Sequence, residues 1–296
     1  MDGIEHPARL TVGVVGAGRV GAVLGAALAR AGHGVTGVSA VSAASLARAA
    51  DLLPGVPVRE VPDVVAGAEL VVLAVPDDAL ADLVAGLTAT GAWQAGQIVV
   101  HTSGRHGVSV LEPTRPHHVL PLALHPAMTF TGTAMDLERL AECCFGVTAD
   151  DALRPVAEAL VVEMGADPVW VLEADRAAYH AALAHGANHL VTLTSEAMEL
   201  LARAGVAEPR KLLGPLMRAA LDNALRLGDT ALTGPVARGD VGTVEDHLRE
   251  LDRLSPEIRR TYVALARATA LRALDSGRLR PAAAEPLLDT LADQEP

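Results

Sequence analysis

Residues 12–15 form a short Val-rich run, residues 16–21 read Gly16-Ala17-Gly18-Arg19-Val20-Gly21, and residues 22–30 are rich in Ala and Leu. A buried strand, a glycine turn and a helix in that order leave a chain few ways to begin its fold. Gly16 makes the tight turn, Gly18 lets a pyrophosphate approach the backbone, and Gly21 lets the helix pack close to the strand. The N–H groups at the start of the helix, together with its dipole, then hold phosphates. A glycine-rich turn alone is a weak signal. Placed after the first strand of an alternating pattern, it predicts a dinucleotide site to which Arg19 and Val20 also contribute.

A site specific for NAD usually ends its second strand in Asp or Glu, whereas this chain has Val38-Ser39-Ala40-Val41-Ser42 there. Ser39 and Ser42 can hydrogen-bond a 2′-phosphate, with Arg48 as the nearest cation, so NADP is expected over NAD; equally, the serines can cap the next helix. Leu73-Ala74-Val75-Pro76-Asp77 ends another strand at the carboxyl edge, which places Val75 and Pro76 along the cofactor. Asp77 and Asp78 belong either to that loop or to a helix N-cap.

Short β-branched runs alternate with Ala/Leu-rich stretches through the first half, the pattern of a parallel sheet covered on both faces. Strands are expected near residues 10–15, 34–39, 70–75, 98–101 and 119–124. After about residue 167 the apolar spacing becomes three and four, and breaks fall at Gly205, Pro209, Gly228 and Gly234-Pro235. The fold class is therefore α/β: a Rossmann-type, mostly parallel sheet over residues 1–167, then an all-helical domain over residues 168–296. One long helix is predicted over residues 173–203, and the Pro/Ala-rich tail after Arg280 is expected to fray.

The chain of 296 residues carries a formal net charge of −12, which repels a nucleic-acid backbone. No apolar run reaches the roughly 18 residues of a membrane span, and the acidic start lacks a signal peptide's basic residues, so a cytoplasmic protein is expected. Cys143 and Cys144 are adjacent and suit neither a disulfide framework nor a metal site; both are expected to be small buried residues.

Reduction of a carbonyl develops negative charge on oxygen, so it needs a proton donor and groups that orient the substrate. His101-Thr102-Ser103-Gly104 follows one strand and Leu124-His125-Pro126 the next, which puts Ser103 and His125 in neighbouring loops, unless Ser103 merely stabilises its turn and His125 is a satisfied structural histidine. On the predicted long helix, Asn188 shares a face with Ala184 and His185, while His180 stands about 12 Å further along the axis at 1.5 Å per residue. His180 and Asn188 are candidates for the site or for a domain interface; His189 reads as structural.

These residues resemble a known family. The layout is similar to that of the 6-phosphogluconate dehydrogenase-type superfamily, which includes ketopantoate reductase, 3-hydroxyacyl-CoA dehydrogenase, prephenate dehydrogenase and pyrroline-5-carboxylate reductase. His101-Thr102-Ser103-Gly104, Leu124-His125-Pro126, Tyr179-His180 with Asn188, and residues 232–240 more closely resemble a poorly characterised bacterial branch of Rossmann-type oxidoreductases. Its members often sit beside pantothenate-biosynthesis genes, which suggests a ketopantoate-like oxo acid by association. Ser103 and His125 imitate the serine and histidine of the prephenate and hydroxyacyl-CoA dehydrogenases, and Asn188 matches the superfamily's helix asparagine. The resemblance also implies a homodimer built on the helical half.

One departure matters. Where ketopantoate reductase has a catalytic lysine, four residues before the asparagine, this chain has Ala184, and its one lysine is Lys211. Unless Lys211 folds back, a histidine must act, with His125 as general acid and His180 as its rival. Arg238 is expected to pair with a substrate carboxylate or to form a structural salt bridge, and Thr243 to cap the helix carrying Glu245 and His247. The resulting expectation is an NADP-dependent oxidoreductase of a small anionic oxo acid, with the site in the cleft between its domains. An NADPH-dependent imine reductase and a non-catalytic nucleotide-binding regulator are the alternatives.

Overall fold

The computed structural model describes residues 9–292, so the acidic start of the chain lies outside the described residues. Two compact units divide between Gly186 and Ala187, rather than at the expected 167/168 boundary.

The first unit is built on seven strands: β1 (Thr11–Val15), β2 (Gly34–Ser39), β3 (Leu70–Leu73), β4 (Ile98–His101), β5 (Leu120–Pro126), β6 (Cys144–Ala149) and β7 (Asp167–Trp170), in the order β2-β1-β3-β4-β5-β6-β7. Strands β1 to β5 pair in parallel, β6 runs antiparallel to β5, and β7 is parallel to β6. The mostly parallel Rossmann-like sheet is as expected. Its last two strands were not: β6 contains Gly146, and β7 reads DPVW with half-exposed residues, so neither presents a continuous apolar run. Strand β7 crosses the expected boundary.

Helices α1 (Arg19–Arg30), α2 (Ala43–Leu52), α3 (Val61–Ala66), α4 (Asp77–Ala89), α5 (Met135–Arg139), α6 (Arg154–Glu163) and α7 (Arg176–Leu183) complete this unit. Alternation along the buried strands sends Val12 and Val14 into one core, with Leu24 and Leu160, and Val15 into another, with Val64 and Leu80. Burying each such side chain contributes about 1.5–3 kcal/mol. Because β1 lies between β2 and β3, the chain reverses direction across the sheet there, and the carboxyl ends of β1 and β3 frame the crevice where such sheets bind ligands.

The second unit is helical: α8 (His189–Arg203), α9 (Pro209–Leu227), α10 (Gly234–Arg238), α11 (Val241–Leu254), α12 (Pro256–Asp275) and α13 (Pro281–Ala292). The helix predicted over residues 173–203 is instead a 3-10 turn, α7, a π turn over Ala184–Asn188, and α8. Hydrogen bonding from i to i+5 in the π turn displaces the α-helical face on which Ala184, His185 and Asn188 were aligned. Within the tail after Arg280, expected to fray, residues 281–292 form α13, with Leu287 and Leu291 fully buried. Cys143 is buried but Cys144 is exposed, because neighbouring residues entering β6 point to opposite faces. No helix among the described residues is long and apolar enough to cross a membrane.

Candidate functional site

The glycine turn sits at the carboxyl end of β1. Gly16 adopts φ +97, where a side chain would also meet the Ala74 carbonyl at 2.6 Å. A Cβ on Gly21 would stand 2.1 Å from the Gly16 carbonyl oxygen, so α1 can approach the turn only with glycine there. Gly18 differs, for a Cβ there would meet nothing within 4 Å. It has φ −70 and caps α1 without a side-chain hydrogen bond. No internal contact requires Gly18 to lack a side chain, whereas a phosphate approaching the first turn of α1 would. The residues present therefore fit a dinucleotide pyrophosphate. Val75 lies beside Gly16, with its Cγ1 3.5 Å from a Gly16 Cβ, and Pro76 follows as the N-cap of α4. Asp77 and Asp78 are thus first-turn residues of α4 rather than its cap.

Both serines proposed for a 2′-phosphate have hydrogen bonds within the chain. Ser39 is buried and its hydroxyl accepts from the Gly16 amide at 2.9 Å, tying the glycine turn to β2. Ser42 caps α2 through a reciprocal capping box with Ser45. The groups left for an anion are cationic. A Cβ on Gly132 would lie 2.8 Å from Arg19 Cγ and 2.9 Å from Arg48 Nε, so one turn gathers both side chains. Asp136, fully buried, holds that turn by accepting from the amides of Thr131 and Gly132 at 2.7 Å each. Arg48 donates to the Ala17 carbonyl at 3.5 Å. Neither arginine forms an ion pair among the described residues. Sequence reading missed the Gly132–Asp136 turn because its role depends on a fold contact with no local signature.

On the next edge, His101 is fully buried and uses both ring nitrogens: Nε2–H donates to the Gly107 carbonyl at 2.8 Å, and Nδ1 accepts from the Ser103 amide at 3.2 Å. Burial, with Arg176 nearby, lowers its pKa to about 4. It is a neutral structural histidine that shapes the Ser103 loop. The Ser103 hydroxyl accepts from the His106 amide at 3.2 Å, which is the turn-stabilising role.

His125 lies within β5, opposite Gly146 of β6, rather than in a loop after the strand. Its Nδ1 is 2.8 Å from the Tyr179 hydroxyl. Its ring meets His180 edge to face, with centroids 6.1 Å apart. A Cβ on Gly104 would lie 2.9 Å from His125 Nε2 and 2.7 Å from His180 Cδ2, so both imidazoles close on this backbone and only glycine fits between them. Burial, then the charges of Arg176 and His180, hold His125 down at about 4 against the opposing pull of Asp77. At neutral pH His125 is a neutral imidazole. Tyr179, Arg176 and Gly146 were not singled out in the sequence as site residues, although Tyr179 stands beside His180.

Asn188, at the end of the π turn, and Arg238, at the end of α10, belong to the second unit and are exposed. Arg238 forms no ion pair among the described residues. Lys211 does not fold back: it is 76% exposed on α9 and pairs with Glu208 at 2.6 Å. Thr243 does not cap α11; Asp240 does, accepting from the Thr243 amide at 3.2 Å and from its hydroxyl at 2.8 Å.

The chain thus belongs to the class defined by a Rossmann-like sheet followed by helices. Residues 2–126 match the model of a Rossmann-like domain, and residues 143–269 match that of a domain of unknown function, DUF2520. No curated protein matches the chain in sequence. Among solved structures it is similar to a candidate NADP oxidoreductase from Bacteroides fragilis (TM-score 0.73, 23% identity, 88% of this chain and 98% of that one). A protein from Thermotoga maritima matches over the same shares at TM-score 0.62 and 23% identity. An imine reductase from Myxococcus stipitatus in complex with NADP+ matches at TM-score 0.60 and 20% identity, over 90% of this chain and 94% of that one. At these identities the likeness establishes the fold.

Proposed function

We propose that this protein is an NADP-dependent oxidoreductase that reduces a small oxo acid of ketopantoate-like chemistry. The observation that carries the reading is the glycine turn: Gly18 leaves open the approach to α1, and Arg19 and Arg48, without acidic partners, gather beside it at Gly132. Two guanidinium groups of this kind suit a 2′-phosphate better than a ribose hydroxyl. The NADP oxidoreductase and NADP+ complex among the fold relatives agree with that choice.

Bound in reduced form, NADP would supply a hydride. The chain's own contribution is a proton donor on the adjacent strand edge: neutral His125, held at Nδ1 by Tyr179 with His180 alongside. An N–H aimed at an oxygen that gains charge stabilises it more in the transition state than in the ground state.

Replacing Arg19 and Arg48 together by Ala should raise the Kd for NADPH about 10²-fold or more and leave that for NADH nearly unchanged, since each lost charge-assisted contact is worth about 1.5–3 kcal/mol. Titration calorimetry with both nucleotides checks it. Equal losses for both would place the arginines on the shared pyrophosphate and withdraw the case for NADP.

An NADPH-dependent imine reductase is the second reading, favoured by the lack of a site lysine to polarise a carbonyl and by the imine reductases among the fold relatives. NADPH oxidation with a cyclic imine but no oxo acid selects it. Tight NADPH binding without oxidation across both panels would select a non-catalytic regulator.

We also propose a homodimer. None of the 19 residues of α9 is buried, although Leu212 and Leu216 lie on one side and Leu221 and Leu225 on nearly the opposite one, and Leu225 is 80% exposed. Leucines exposed to this extent call for cover, and a second copy supplies it. Light scattering should give twice the chain mass, and Leu216→Asp with Leu225→Asp should yield monomers. A wild-type monomer at micromolar concentration would refute the assignment.

A further inference from the structure

Arg176 opens α7 as a buried cation without a carboxylate in contact among the described residues. Its side chain is almost fully enclosed; Nε donates to Thr148 Oγ1 at 2.8 Å, and the terminal nitrogens donate to the carbonyls of Gly146 at 3.0 Å, Ala123 at 3.1 Å and Ser103 at 3.4 Å. The nearest acid, Glu173, instead accepts from the amides of Val108 at 2.7 Å and Ser109 at 3.1 Å. Enclosing a guanidinium without an ionic partner is costly, and an apolar side chain would fill the volume at less expense. The charge therefore calls for an anion that arises in its neighbourhood.

The same helix carries such a group. The Tyr179 ring centroid lies 5.8 Å from the Arg176 guanidinium carbon, and its hydroxyl is 2.8 Å from His125 Nδ1. A Cβ on Gly146 would stand 2.4 Å from that oxygen, so glycine at this place lets the phenol reach His125. A phenol that donates its proton to Nδ1 puts the imidazole proton on Nε2.

We propose that His125, Tyr179 and Arg176 form a proton path: His125 gives its Nε2 proton to the oxygen of the reduced carbonyl, Tyr179 returns a proton to Nδ1, and Arg176 holds the transient phenolate. This rests on the oxidoreductase reading above. The nicotinamide dinucleotide provides the hydride. The Nε2–H bond breaks as the substrate O–H bond forms, and the Tyr179 O–H bond breaks as Nδ1–H forms. His125 ends neutral in its other tautomer, the negative charge passes from substrate oxygen to phenol oxygen, and water reprotonates Tyr179.

A neutral imidazole that released its proton alone would become an anion, and uptake at Nδ1 removes that obstacle. The charged and titratable groups facing His125 are Arg176, Tyr179 and His180 from α7 and Asp77 from α4; burial with Arg176 outweighs Asp77 and keeps the ring neutral. Burial likewise raises the Tyr179 phenol, and Arg176 opposes that rise. Tyr179 and Arg176 are thus positioning residues that act through His125.

The test is Tyr179→Phe in the full chain, read in two ways. Nitrogen-15 NMR of histidine-labelled protein without nucleotide should show His125 as a single Nε2–H tautomer in the wild type and as a tautomer mixture in the variant. Turnover with NADPH should fall about 10²-fold in kcat with KM held, and Arg176→Lys, which retains the charge, should keep more activity than Arg176→Gln. An unchanged tautomer or an unchanged kcat in Tyr179→Phe overturns the path. If His125→Ala abolishes turnover in that case, His125 stays the donor and only the path fails; a wild type that oxidises no NADPH with any oxo acid or imine fails the oxidoreductase reading, and the NMR result reads the path without needing a substrate.

Discussion

His125→Ala is expected to lower turnover about 10²- to 10⁴-fold while NADPH affinity stays unchanged. The size follows from what the ring supplies, for His125 is the half-buried imidazole held at Nδ1 by Tyr179 beside His180. Affinity should hold because the glycine turn and the Arg19/Arg48 pair are separate features of the first unit, at the ends of β1 and β2. The pH profile adds a second measurement. A proton donor working as imidazolium would lose rate as pH rises through its ordinary value near 6.5. His125 is held at about 4, so it stays neutral above that value and the wild-type rate should not fall between about pH 5.5 and 8 on its account. Steady-state rates across that range check the point. A descending limb near 6.5 that disappears in His125→Ala would show a protonated His125 as the donor and undo the assignment of a neutral ring.

The opening of the chain was legible because its constraints are local. The strand, the three glycines and the helix are contiguous, and each glycine has a reason that the structure repeats at Gly16 and Gly21 as steric contact and at Gly18 as open space. The strands that pack on both faces were legible for the same reason, as runs such as Leu70–Leu73 are apolar throughout. What failed depended on partners distant in sequence. Ser39, chemically suited to a phosphate, accepts from the Gly16 amide on the neighbouring strand. Gly132, more than a hundred residues from Arg19, brings the two arginines together, and no spacing rule announces it. His125 was placed in a loop because Pro126 ends the run, but β6 pairs antiparallel along it as far as Pro126. Arg176 is the sharpest case: a charged residue in a polar stretch reads as solvated, and only the carbonyls of Ser103, Ala123 and Gly146 converging on it reveal that it is buried. The π turn at Ala184–Asn188 likewise defeats any reading that assumes 3.6 residues per turn.

Gly18→Asp should separate binding from folding more cleanly than any other change in the first unit. Gly18 has an extended conformation at φ −70, caps α1 without a side-chain hydrogen bond, and has open space where a side chain would extend. Aspartate is among the best N-cap residues, and its charge complements the helix dipole, so thermal stability should hold or rise by a few tenths of a kcal/mol. For a bound pyrophosphate the same carboxylate is a like charge at close range. At about 4 Å and an effective dielectric of about 20, each such pair costs about 4 kcal/mol, and even partial screening leaves a loss of about 10²-fold or more in dinucleotide affinity. Gly21→Val provides the contrast: its Cβ meets the Gly16 carbonyl oxygen at 2.1 Å and Ala74 Cβ at 2.8 Å, so α1 must move, and stability should fall by about 1–3 kcal/mol along with affinity. Thermal melts and NADPH fluorescence titrations on the two variants measure both quantities. If Gly18→Asp binds NADPH as the wild type does, the space beside Gly18 is not a phosphate site, and the nucleotide reading of the turn fails with it.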